Sequence, residues 1–292
     1  METTRITRLF PIVLGAWALV IGAWWAYINF GGGKDVAFTS PGPIWHAYWF
    51  NVVYGLVFPL LALPLSLGVA RSFGGWSSRI GRGALLLAIA SVMWGLGSAI
   101  WFGYNVSGEE APYPSWADAG FISLLPFACL GLLNLRYLLG IRGRDLAKSS
   151  WILILVCIIT GYYGLPSTDI GGFTYGHGYL IDPKATNAAN ITSAFYLTTD
   201  TILGWLALTL LIHARNAAGG QFLLPMLSTA AAFVTYYFGD FFFVRRVYQE
   251  TYFNGDMADA LYALALWLMS ASIWLLYRAY TRQMRELASP PQ

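Results

Sequence analysis

The stretch Trp116–Tyr137, WADAGFISLLPFACLGLLNLRY, has one acidic residue near its start, Asp118, one basic residue near its end, Arg136, and mostly apolar or small residues between them. An α-helix rises 1.5 Å per residue, so about 20 such residues cross a hydrocarbon core roughly 30 Å thick. Seven more runs read the same way, at Leu9–Phe30, Trp45–Ala70, Gly83–Tyr104, Trp151–Leu165, Ile191–His213, Phe222–Val244 and Ala258–Tyr280. The fifth in chain order, Trp151–Leu165, is the shortest, and Gly161, Gly164 and Pro166 interrupt its outer end. The predicted fold is therefore all-α, a polytopic membrane bundle of eight transmembrane helices. Residues 1–281 form a single transmembrane domain and 282–292 a short tail.

Composition supports this. Hydrophobic residues make up 57% of the chain and charged residues 11%, against roughly 25% charged in an average soluble domain. So few charges cannot cover a water-facing surface. Lys and Arg concentrate in cytoplasmic loops, and an N-in, C-in arrangement puts most of them there. It places Arg5, Arg8, Arg71, Arg79, Arg82, Arg136, Arg142, Arg144, Lys148, Arg215, Arg278, Arg282 and Arg285 inside, and only Lys34, Lys184, Arg245 and Arg246 outside. The expected location is the cytoplasmic membrane, multi-pass, with Arg5 and Arg8 preceding a retained signal-anchor helix. The net charge of +3 then reflects topology and gives no support to a nucleic-acid partner.

An internal repeat accompanies the helices. Trp116–Tyr137 aligns without gaps to MADALYALALWLMSASIWLLYR (Met257–Arg278), pairing Asp118 with Asp259. LGSAIWF at Leu96–Phe102 aligns with FGDFFFV at Phe238–Val244, after a one-residue adjustment. The spans group as four helical hairpins with a weak repeat, and every copy begins on the inside. That differs from the inverted repeats of many secondary transporters.

The segment Pro112-Tyr-Pro114-Ser115-Trp-Ala117-Asp118 resembles the P-x-P-S-x-A-D element of multi-helix membrane sensor domains N-terminal to bacterial diguanylate cyclases. FYLTTDTILG at Phe195–Gly204 is similar to a later helix start of those domains, with Leu197 where proline is usual. The resemblance implies a sensor fold that binds a ligand and signals. Those domains carry a cytoplasmic output domain, whereas only a dozen residues follow Tyr280 here. Output through a protein partner is the expectation.

Ionisable groups inside a membrane are costly and usually face a cavity, a partner or a substrate path. Asp200 lies about ten residues, or about 15 Å, into its span, near the midplane. It has two readings: a functional carboxylate, or a polar clamp to Thr198, Thr199 or a neighbouring helix. Asp240 is read either with it or as an ion-pair partner of Arg245 or Arg246. Asp118 and Asp259 open helices and have two readings: candidate ligand-binding carboxylates, or acids that complement the helix dipole and satisfy free N–H groups. Trp94, Trp101, Tyr196, Tyr236 and Tyr237 are read either as interfacial belt residues or as the wall of an outward-facing acidic and aromatic pocket. Such a pocket suits a hydrophobic or amphipathic small molecule, or an organic cation.

Cys129 and Cys157 fall within spans and read as buried small residues. His46 and His177 with an Asp are the one metal arrangement that spacing allows, and no cofactor is implied. Lipid bilayer, small molecule and protein partner are the expected contacts. The leading functional expectation is a sensor-like or ligand-binding module without catalysis. The alternatives are an intramembrane enzyme using Asp200 and Asp240 on a lipid or isoprenoid, an ion-coupled transporter, and an accessory subunit of a membrane complex.

Overall fold

Backbone N–H and C=O groups have no partner in hydrocarbon, so an apolar run in a membrane is confined to a conformation that satisfies them internally. In the computed structural model these runs are helices. Residues 2–31, 45–107, 112–164, 168–170, 173–175, 186–215, 220–249 and 251–288 are described. The helices are α1 (Glu2–Phe30), α2 (Trp45–Ser72), α3 (Arg79–Ser107), α4 (Trp116–Leu135), α5 (Ser150–Gly164), α6 (Asn187–Ala214), α7 (Leu223–Tyr248) and α8 (Met257–Ala288). A six-residue helix, Gly143–Lys148, precedes α5, and a short antiparallel pair, β1 (Thr168–Ile170) and β2 (Phe173–Tyr175), follows it.

Seven of these helices are long and apolar enough to cross a membrane. The exception is α5, whose 15 residues span only about 22 Å. The surface agrees with a lipid environment: Leu19 on α1 is 76% exposed and Ile154 on α5 is 59% exposed. Bare aliphatic side chains of this kind face lipid rather than water. Cys157 is also exposed on α5, correcting the expectation of burial, because α5 packs mainly on α6 and leaves the rest of its surface outward.

Six helices close a ring in the order α2, α3, α4, α6, α7, α8 and back to α2. Outside it, α1 leans into the seam between α2 and α8, and α5 leans on α6. Trp205 Nε1 donates to Ser149 O (3.1 Å), and the Thr160 hydroxyl pairs with that of Tyr237 (2.9 Å), holding both ends of α5. The tightest seam joins α3 to α4 through glycines. A Cβ on Gly120 would lie 2.5 Å from Gly97 N, and one on Gly97 would lie 2.8 Å from Ala117 O. Only small residues let backbones come this close.

Residues paired by the internal alignment make matching contacts. A Cβ on Gly97 would meet Phe121 Cδ1 at 2.7 Å, and one on Gly239 would meet Tyr262 Cε1 at 2.8 Å; the alignment pairs Gly97 with Gly239 and Phe121 with Tyr262. The starts of α4 and α8 match as well. Tyr196 on α6 donates its hydroxyl to Asp118 Oδ1 (2.9 Å), and Tyr54 on α2 donates to Asp259 Oδ1 (2.9 Å). Each half of the ring thus ties its neighbour's helix start with one Tyr–Asp bond.

Candidate functional site

Two carboxyl groups meet inside the ring. Asp200 on α6 is 3% exposed, and its carboxyl neighbours that of Asp240 on α7, which is half-buried. Tyr262 on α8 donates its hydroxyl to Asp240 Oδ1. Asp200 Oδ1 and Asp240 Oδ2 find no donor among the described residues. An ionised carboxylate only accepts hydrogen bonds, so a hydrogen bond between these two groups requires one of them to carry a proton. The position breaks the internal repeat, because the alignment puts Ser98 of α3 opposite Asp240 of α7.

Aromatic side chains enclose the pair. The Tyr262 ring lies 5.4 Å from Trp94 and 5.5 Å from Tyr236, spacings at which rings attract beyond their buried area. Trp94 also contacts Phe121 (5.2 Å) and Tyr54 (5.6 Å). Replacing Tyr262 by phenylalanine keeps the packing and removes the donor to Asp240. The expected cost is roughly 1–3 kcal/mol, measured by thermal unfolding of the solubilised protein.

Asp118 and Asp259 are held at helix starts. Asp118 Oδ2 accepts from Ser115 N (2.6 Å), while Ala117 N donates to Ser115 Oγ (3.2 Å), the reciprocal cap of a Ser-x-x-acid turn. Asp259 Oδ2 accepts from Gly255 N (2.6 Å), and Asp256 Oδ1 accepts from Ala258 N (2.7 Å). Gly255 has φ +89°, the left-handed region that glycine adopts without strain.

The loop between α7 and α8 plugs this end of the ring. Trp101 Nε1 and Asn51 Nδ2 both donate to Asn254 Oδ1 (3.2 and 2.7 Å). Trp25 Nε1 donates to Asp256 O (3.0 Å). Arg246 pairs with Asp256 (3.3 Å), which corrects the expectation that Arg245 or Arg246 pairs with Asp240. Those arginines sit five and six residues beyond Asp240, on other faces of the helix, while packing against α6 and α8 claims the Asp240 side chain.

Burial pushes the Asp256 carboxyl from its ordinary 3.8 up to about 6, with the Ala258 N–H and Arg246 pulling the other way. The native state therefore binds this proton more tightly than the unfolded chain, and the stability this confers is complete below 3.8 and lost as pH rises through about 6. Arg246→Gln is expected to cost roughly 1–3 kcal/mol at about pH 8 and to approach no cost once the carboxyl is protonated. Unfolding midpoints across pH measure this.

The structure thus brings Asp200, Asp240, Tyr236 and Trp94 together, with Tyr196 on the flank at Asp118. Trp101 belongs to the loop cluster, and Tyr237 bonds Thr160 on α5. Two residues that sequence reasoning passed over are central: Tyr262, donor to Asp240, and Tyr54, donor to Asp259. Their signal was present, since the repeat pairs Tyr262 with Phe121 and a hydroxyl gained in a core position needs a partner. Among the described residues no group of three or more His, Cys, Asp or Glu could hold a metal. His177 lies outside the described residues, and so does the side chain of His46.

Fold and site together define an α-helical bundle of membrane-crossing character around a carboxyl pair, Asp200 buried and Asp240 half-buried. The chain matches no protein-family model, no curated protein and no solved structure.

Proposed function

We propose that this chain is a sensor-like binding module of the cytoplasmic membrane, multi-pass, whose ligand is a proton held between Asp200 and Asp240. The observation that carries the reading is that one oxygen of each of these neighbouring carboxyls finds no donor among the described residues, which a proton held between them would satisfy. Losing that proton turns a bond between α6 and α7 into repulsion, so occupancy is coupled to the packing of two ring helices. Among the described residues the titratable groups near the pair are Tyr262 of α8, Tyr236 of α7, Tyr196 of α6, Cys129 of α4 and Tyr113 before α4. None of them is cationic, so none can replace the proton.

The reading includes eight spans, four hairpins, both ends inside and relay to a protein partner. The clustering of arginine and the resemblance of the Pro112–Asp118 turn to sensor domains support these parts. Trp94 reports on the site because its ring touches Tyr262. In liposomes the emission difference between the parent and Trp94→Phe is expected to titrate with pH, and Asp200→Asn and Asp240→Asn are each expected to abolish that titration of the Trp94 component. Emission that ignores pH, or a titration that both variants retain, counts against the proposal. A pH-gradient-driven flux that depends on Asp200 would instead make the same pair the coupling site of a transporter.

A further inference from the structure

We infer that the arginine-rich end of the bundle binds an anionic glycerophospholipid, independently of the Asp200–Asp240 reading. Trp274, Arg278, Arg282 and Arg285 recur at four- and three-residue intervals along α8, so they form one stripe on the helix surface. This stripe lines a cleft of about 780 Å³ between α8, the start of α7 and the first turns of α1, with Arg8 and Leu224 on its other walls. At about 48 Å, the 32 residues of α8 outreach the hydrocarbon core. The last turns, where the arginines sit, therefore reach the level of lipid headgroups.

The cleft has matching chemistry for both ends of such a lipid. Among the described residues the lining carries four arginines and one carboxylate, Glu286, which Arg282 Nε and Gln221 Nε2 engage at 2.8 Å each. Arg278 is braced 5.0 Å over the Trp274 ring, leaving its planar donors suited to a phosphate. Gln221 Oε1 is enclosed without a partner among the described residues, an acceptor that a hydroxyl-bearing headgroup would match. The wall is apolar, with Leu224 56% exposed. A free anion gains nothing from that wall, whereas an acyl chain does.

The test titrates the full chain in detergent micelles, followed by native mass spectrometry. The probes are dioleoylphosphatidylglycerol, dioleoylphosphatidylcholine and glycerol 3-phosphate. Phosphatidylglycerol is expected to bind at least roughly tenfold tighter than phosphatidylcholine, and glycerol 3-phosphate is expected not to displace it. The triple variant Arg278→Gln, Arg282→Gln, Arg285→Gln should weaken phosphatidylglycerol by roughly 100-fold, on the scale that each basic residue contributes near an anionic surface, and leave phosphatidylcholine unchanged. Leu224→Glu, at an exposed position, puts a negative charge in the apolar wall and is expected to weaken it too. Equal binding of the two lipids, displacement by glycerol 3-phosphate, or full binding in both variants overturns the proposal.

Discussion

Asp240→Leu is expected to destabilise the protein by roughly 2–6 kcal/mol, while Asp240→Asn stays within about 1 kcal/mol of the parent. The leucine leaves two buried polar groups without partners, the carboxyl of Asp200 and the hydroxyl of Tyr262, each costing roughly 1–3 kcal/mol. The asparagine keeps both contacts: its NH₂ donates to Asp200 and its carbonyl accepts from Tyr262. It differs in one respect only, since its donor hydrogen is fixed and cannot be exchanged with pH. The two substitutions therefore separate the structural role of Asp240 from its proton-binding role. Thermal unfolding of both variants in one detergent measures the first, and the pH titration of tryptophan emission measures the second.

Gly120→Ile should have a comparable effect for a different reason. A Cβ at Gly120 would lie 2.5 to 2.7 Å from Gly97 N, Gly97 Cα and Met93 O, all of them backbone atoms that no rotamer change can move aside. Accommodating it means separating α3 from α4, and overpacking of this kind costs typically 1–3 kcal/mol and occasionally more. Gly22 on α1 is the matched control, because nothing lies within 4 Å of a Cβ placed there. The unfolding midpoint should fall steeply for Gly120→Ile and hardly at all for Gly22→Ile.

The long helices could be read from the sequence because an apolar run about 20 residues long has a single outcome in lipid. The capped start at Ser115 was readable too, since a Ser-x-x-Asp spacing places both side chains over the first turn. The enclosure of Asp200, 3% exposed, follows from the cost of a bare carboxylate in hydrocarbon. Rotation about each helix axis did not follow from the sequence. A helix that is apolar on every side, as α2 nearly is, carries no stripe to say which face turns inward. That is why Trp101 and Tyr237 were grouped with Asp240, although Trp101 reaches Asn254 and Tyr237 reaches Thr160. The same lack of facing information gave Asp240 an arginine partner in place of Asp200. For α5, Gly161 and Gly164 signal an early end, and the helix is described over Ser150–Gly164.

The most direct measurement is the infrared spectrum of the protein in lipid, recorded as pH is stepped. A proton shared by Asp200 and Asp240 gives a protonated-carboxyl C=O stretch near neutral pH, where solvent-exposed carboxylates show none. Asp256, pushed up to about 6, adds a band of its own, so the test is the difference spectrum: Asp200→Asn and Asp240→Asn should each remove the same component of the parent band. A spectrum without the band, or one from which neither variant removes any component, contradicts the account.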